Sequence, residues 1–401
     1  MDAWGTALFS DDTARDVRES YMELVGDGLT GEEATKALIG EWSASLNDPD
    51  ESPVFWLALA ATQWRCGRLR GVLMRSIVFL GMTLLAASVG IGQNHPSLPS
   101  SFRATTIHSP EGADIFVRSG GRGSVVVLLH GYAENSDSWA PLAADLMKDH
   151  SVVVPDLRGI GRSSKPESGY DKKTQAKDIR AVVTGLGYDR TFVIAHDIGN
   201  MVAYAYAAMY PDKVKRLVVM DAPIPGIEPW NEIEAECGTY MCAKMKLLFN
   251  PGVWDLHFNL TFHGYGPAAE RLVAGRERIY FDHIWDDFTG DPSKPDEATR
   301  NFFAATYALP GGMRAGFAQF TAFSQDAKDN KIFEQTKLPM PVLAVGGEKS
   351  FGALQAVIMR HVATNVQEAV VVGSGHWLME ERPTETVALI RNFLDAGETK
   401  Q

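Results

Sequence analysis

Six short apolar runs constrain the fold of this chain more than any other feature: VVVLLH (125–130), VVVP (152–155), FVIAH (192–196), RLVVM (216–220), PVLAVG (341–346) and AVVV (369–372). They are rich in Val and lack the polar alternation of a strand with one wet face, so they read as strands buried on both faces of a parallel sheet. Helical stretches separate them at 140–148, 173–185, 201–210 and 383–394. Such alternation predicts an α/β domain with a doubly wound, mostly parallel sheet built from 101–222 and 337–401. Residues 223–336 interrupt the pattern and are expected to form a helical cap, inserted after the run that ends at Met220.

At 401 residues the chain has room for that domain and a further module. Its 45% hydrophobic and 22% charged residues exclude a disordered protein. The net charge of −12 argues against a general nucleic-acid binder, which needs clustered Lys and Arg. That charge is uneven. Thirteen acidic residues stand within 1–63 against Arg15, Arg18 and Lys36, and then Arg65, Arg68, Arg70 and Arg75 follow in quick succession. The reversal marks residues 1–70 as a small acidic accessory module. Within it Ala34, Leu38, Ile39 and Trp42 recur at helical spacing, NDPDESP (47–53) breaks the chain, and VFWLALAATQW (54–64) reads as a second apolar helix. Asp11 and Asp12 read as an acidic helix start rather than a metal site. The opening resembles a small uncharacterised bacterial domain family that begins Met-x-x-Trp-Gly-x-x-x-Phe; the likeness covers about the first 65 residues and implies no chemistry.

The stretch RSIVFLGMTLLAASVGIGQ (75–93) has a basic flank, an apolar run from Ile77 to Ile91 and small residues near its end. That is the shape of a secretory signal peptide, here inside the chain, and it is short for a spanning helix. The expectation is an export-related origin, with membrane association through 75–93 and the following domain periplasmic or anchored outside. A buried helix in a cytoplasmic protein is the alternative. With the linker NHPSLPSS the segment occupies about 71–100. Cys66, Cys237 and Cys242 are too few for a disulfide scaffold and form no CxxC pair, so they decide neither compartment nor metal.

The chemistry centres on VIAHDIGNM (193–201). Asp197 ends an apolar strand and opens a helix, with Ala195 and Gly199 two residues to either side. Small residues there suit a sharp strand-to-helix turn that exposes a nucleophile. An aspartate capping the helix is the plain structural alternative. The other groups follow in the order nucleophile, acid, histidine. HGYAENSDSW (130–139) follows a strand, and the main-chain N–H groups of Tyr132 and Ile198 would form an oxyanion hole. Asp221 directly follows the next strand in VVMDAPIPG, and His376 lies after the last one in GSGHWLMEERP, where it is the candidate base. Glu348, in GGEKSFG, competes with Asp221 for the place of the acid.

With these motifs in place the domain resembles the α/β-hydrolase-fold epoxide hydrolases, especially the secreted bacterial Cif-like type. The matching stretches are AHDIG, DAPIPG, ERLVAGRERIYFDHIW, YALPGG and GSGHWLMEE, and the likeness spans about 290 residues. It implies an α/β-hydrolase fold, a nucleophilic Asp197, a His376–Asp221 pair, and two cap residues, His257 and Tyr307, that hold the epoxide oxygen. The residues alone leave other roles open: His257 could pack beside Trp254 and Phe258, with His263 a nearby rival, and Tyr307 could pack with Phe302 and Phe303.

The implied reaction opens a small apolar epoxide with water to a vicinal diol, through an ester on Asp197, and requires no metal or organic cofactor. The cap aromatics Trp254, Phe258, Phe262, Tyr265 and Trp285 suggest a narrow apolar tunnel. Dimers are common among such folds, so a homodimer belongs to the expectation. Haloalkane and haloacid dehalogenases use the same aspartate. A haloacid enzyme wants arginines just after it, where Ile198 and Met201 stand and no arginine lies between Asp197 and Arg216. A haloalkane enzyme often has Asn where this chain has Tyr132. From another class, the alternative is a non-catalytic, membrane-anchored binding scaffold.

Overall fold

In the computed structural model the described residues are 12–43, 55, 58, 59, 62, 95, 97–230, 263, 264 and 266–396. The chain divides into two compact units, Met1–Gln93 and Asn94–Gln401, each described here by itself.

In the first unit, α1 (Asp12–Gly26) and α2 (Gly31–Glu41) pack through Ala14, Val17, Tyr21, Ala34 and Leu38, joined by Phe55, Ala58 and Leu59. The last three share one face of a helix, at the spacing a buried stripe requires. Thr30 starts α2 with a reciprocal capping box to Glu33. Among the described residues no helix is long and apolar enough to cross a membrane; residues 75–93, Cys66, Cys237 and Cys242 lie outside them.

The second unit is built on one sheet. Its strands are β1 (Arg103–His108), β2 (Asp114–Gly121), β3 (Ser124–Leu129), β4 (His150–Pro155), β5 (Thr191–His196), β6 (Val214–Met220), β7 (Val342–Gly347) and β8 (Val366–Val371), in the order β1-β2-β4-β3-β5-β6-β7-β8. From β4 to β8 the pairing is parallel, while β1 and β2 are antiparallel additions at one edge. Helices α3 (Ala140–Leu146), α4 (Lys172–Gly185), α5 (Ile198–Met209) and α11 (Leu354–Val362) connect strands, and α12 (Leu378–Glu381) and α13 (Pro383–Asp395) follow β8, the numbers α6 to α10 falling to the insert below. The Val-rich runs are apolar because each serves two cores. Val125, Val127 and Leu129 face one layer while Val126 and Leu128 face the other, and β5, β6 and β7 divide their side chains the same way. Each side chain so buried contributes about 1.5–3 kcal/mol. AVVV departs from the expectation of burial on both faces. Val370 is 39% and Val372 72% exposed, because β8 is the outermost strand.

Between β6 and β7 the described chain includes the helices α6 (Pro267–Val273), α7 (Glu277–Phe288), α8 (Glu297–Tyr307), α9 (Gly312–Thr321) and α10 (Phe323–Phe333). A buried ion pair fastens this insert to the sheet domain. Lys172, at the start of α4, donates to Asp326 of α10 through its main-chain N–H at 2.7 Å and its ammonium at 3.1 Å, and to the Gln319 carbonyl at 2.8 Å.

Candidate active site

Strand β5 ends at His196 and α5 begins at Ile198, which leaves Asp197 in the turn with φ 49° and ψ −123°. Such a backbone costs a non-glycine residue about 1–3 kcal/mol, so the surroundings must enforce it. They do so by close approach. A Cβ on Gly199 would collide with the carbonyl oxygens of Leu129 and His130, and one on Gly131 would stand 2.6 Å from the Asp197 Cβ. Asn200 secures the turn from the far side. Its amide donates to the Met220 carbonyl at 2.7 Å and its own carbonyl accepts the Met220 N–H at 2.9 Å. Since Met220 precedes Asp221, one side chain couples the two acidic turns.

The two carboxylate oxygens of Asp197 have different neighbours. Oδ1 accepts the main-chain N–H of Tyr132 at 2.7 Å, and Oδ2 lies 3.6 Å from Nε2 of His376. Ile198 supplies the first N–H of α5, which no helical carbonyl can satisfy. Asp221 is fully buried, with φ 54°. Its Oδ1 is 2.9 Å from Nδ1 of His376 and accepts the Ser350 hydroxyl at 2.5 Å; its Oδ2 accepts the N–H groups of Gly347 at 2.6 Å and Phe351 at 3.3 Å. These donors replace the water an anion would otherwise hold. Glu348 is not part of the group: it is exposed and its carboxylate accepts the Gly373 N–H at 2.8 Å.

The loop that carries His376 is wound around Glu381, whose carboxylate accepts the N–H groups of Gly290 at 2.8 Å, Gly375 at 2.9 Å and Trp377 at 3.1 Å. Behind the His376 ring, with centroids 4.5 Å apart, lies His196. Its Nε2 is 2.8 Å from the His376 carbonyl oxygen and its Nδ1 3.2 Å from Oε2 of Glu134, which also accepts the Gly131 N–H at 3.0 Å. With Glu134 ionised both ring nitrogens face acceptors, an arrangement that the doubly protonated ring satisfies. Burial alone would lower the His196 pKa, but the Glu134 carboxylate outweighs it and pushes the value up to about 10. Burial would raise Glu134, and the same pair holds it below its ordinary range. Nothing in the sequence marks Glu134, His196 or Asn200 out from packed polar residues.

Tyr307, buried at the end of α8, donates its hydroxyl to the Glu134 carbonyl at 3.1 Å. His257 lies outside the described residues. His263 is buried, paired through Nε2 with the Tyr280 hydroxyl, and burial pulls its pKa down to about 3, so the ring is neutral. Asp197 and His376 open onto a cavity whose other described walls are Tyr132, Ile284, Phe288, Phe320 and Trp377.

A family model for the α/β hydrolase fold matches residues 124–240. The soluble epoxide hydrolase of Corynebacterium sp. (strain C12) is 32% identical over 266 residues, which are 66% of this chain and 87% of that protein. The crystal structure of wild-type Cfl2 from Burkholderia cenocepacia aligns with a TM-score of 0.63 at 31% identity, covering 74% of this chain and 98% of that one. A fluoroacetate dehalogenase from Burkholderia sp is 26% identical over 290 residues, 69% of this chain and 88% of that protein.

Proposed function

The chain belongs to the α/β-hydrolase-fold family of the soluble epoxide hydrolases and is a hydrolase, and from that premise we propose that it opens a small epoxide to a vicinal diol through an ester on Asp197. The observation that carries this reading is the unequal setting of the Asp197 oxygens, one on the Tyr132 N–H at 2.7 Å and the other facing the histidine across a largely apolar cavity. A carboxylate is already anionic near neutrality, so it needs no base to attack a saturated carbon. Oδ2 bonds to an epoxide carbon, that carbon's bond to oxygen breaks, and the oxygen takes a proton as it leaves. Tyr307 is the donor we assign, its hydroxyl turning from the Glu134 carbonyl to the epoxide oxygen, with His257 as its partner on the reading of the sequence.

In the second step Nε2 of His376 takes a proton from water while the water oxygen bonds to Cγ of Asp197. Asp221 stabilises the imidazolium that forms. The negative charge of the tetrahedral intermediate falls on Oδ1, where the N–H groups of Tyr132 and Ile198 receive it. The bond from Cγ to Oδ2 then breaks, His376 gives its proton to that oxygen, the diol leaves with it, and the remaining proton of the water restores the Tyr307 hydroxyl. The insert between β6 and β7, which we read as a cap, keeps water away during the first step. Residues 1–70 and the segment 71–100 take no part in this chemistry.

A dehalogenase would begin with the same attack. Against a haloacid substrate stand Ile198 and Met201, apolar and buried after the nucleophile, and the described cavity wall carries no arginine. The test is a single turnover of His376→Gln with styrene oxide, followed by mass spectrometry of the peptide that contains Asp197. An adduct of the mass of the epoxide supports the proposal. Halide release from fluoroacetate or a chloroalkane, with no epoxide turned over, would replace it with the dehalogenase.

A further inference from the structure

Tyr132 reaches from the oxyanion loop into the helical insert. At one end its main-chain N–H holds Oδ1 of Asp197. At the other its hydroxyl lies 3.2 Å from that of Tyr280, on α7, which is paired in turn with Nε2 of His263. Between the two ends the ring is boxed by the edge of Phe320 at 4.8 Å and by Phe281 and Tyr307 at 5.5 Å each. The phenol is therefore embedded in the insert while its backbone belongs to the loop after β3.

Two features make this tie matter for the direction of the N–H. Ala133, the next residue, has φ 60°, a strained backbone for a residue with a Cβ, so the loop does not hold its shape by local preference. A second hydroxyl contact of the loop with the insert, among the described residues, is Tyr307 to the Glu134 carbonyl. That contact is given up when Tyr307 turns to the epoxide oxygen, which leaves the Tyr132 hydroxyl to tie the loop to the insert while the Glu134 carboxylate holds it to the sheet domain through the Gly131 N–H and His196. His263 is neutral and has one ring proton, so its bond to Tyr280 runs in one direction or the other. Either direction leaves the Tyr280 oxygen bridging His263 and Tyr132.

We propose that Tyr280, backed by His263, is a positioning residue for hydrolysis of the ester: it anchors the Tyr132 phenol in the insert and so aims the N–H that receives the charge on Oδ1. This rests on the two-step reaction proposed above. Ring opening places no new charge on Oδ1, whereas attack of water on Cγ places a full one there, so loss of the anchor slows the second step selectively.

The experiment measures both steps by rapid quench and mass spectrometry in Tyr280→Phe, with styrene oxide as the substrate. The ester is expected to form within about twofold of the wild-type rate and to decay about tenfold more slowly, a part of the hundred- to thousandfold cost of deleting an oxyanion donor. In steady state kcat and KM then fall together and kcat/KM is kept. Formation slowed as much as decay, or neither step changed, overturns the proposal. If Tyr280→Phe does not fold, Tyr132→Phe cuts the same contact from the other side, keeps the main-chain N–H, and must show the same split. A wild-type protein that forms no ester removes the two-step reaction and the anchor's role with it, whereas an ester whose decay is indifferent to Tyr280 removes the anchor alone.

Discussion

The main-chain N–H of Tyr132 binds Oδ1 of Asp197 at 2.7 Å and leaves Oδ2 to the cavity. If this hold lasts through a cycle, the two oxygens never exchange roles. In heavy-oxygen water the first diol released should then be unlabelled, because its new oxygen comes from Oδ2, and the second should be labelled, because water has replaced that oxygen. Successive turnovers sampled by mass spectrometry check this. Equal mixing of label in the second diol would mean that the carboxylate rotates between turnovers.

Asn200 is the strut between the nucleophile's turn and the acid's strand, meeting both main-chain groups of Met220. Asn200→Leu keeps the volume and strands a buried N–H, which costs about 1–3 kcal/mol. Urea unfolding should show that loss, and turnover should fall as the Asp197 and Asp221 turns drift apart. A variant as stable and active as the wild type would reduce Asn200 to a bystander.

Asp197, Asp221 and His376 are legible in the sequence because each closes or follows an apolar run, and runs buried on both faces announce themselves. Strands β1 and β2 do not. RATTIH is exposed along nearly its whole length and DIFVRSGG buries little beyond Ile115 and Val117, so neither has the composition of a covered strand. The same limit applies to Glu134, His196 and Tyr280. Glu134 meets His196 across 62 residues and Tyr280 meets Tyr132 across 148, and a single polar residue reads alike whether it packs alone or completes such a pair. Glu348 and Asp221 were indistinguishable by order along the chain. Distance separates them, since only Asp221 reaches the His376 ring.

Lys172 and Asp326, each 1% exposed at the side chain, join the sheet domain to the insert. Burial raises the Asp326 pKa even though Lys172 opposes it, so the pair is costly to break on one side. Lys172→Met should destabilise the protein by about 3–5 kcal/mol. The double change Lys172→Met with Asp326→Leu should recover a large part of that loss. Unfolding free energies of the three variants decide it, and a harmless single substitution would show the pair to be dispensable.

Residues 94–401 contain both apolar layers of the sheet and every described group of the site. A protein that begins at Asn94 should therefore fold and keep kcat/KM within about twofold. A folded truncation without turnover would give the first unit a part in catalysis.

The His196–Glu134 pair makes stability depend on pH in both directions. The His196 pKa is raised from 6.5 to about 10 in the folded protein, so its contribution is whole below about 6.5 and is lost as pH rises toward 10. Glu134 is lowered from 4.5, so its contribution is whole above that value and is lost as pH falls through the folded one. His196→Gln keeps a donor for Glu134 but carries no charge. The stability gap between wild type and this variant should be widest from about pH 5 to 6.5 and should close toward pH 10. Urea denaturation across that range measures the gap. A gap that stays constant up to pH 10 would mean that the pair takes up no proton on folding, with His196 neutral beside an ionised Glu134.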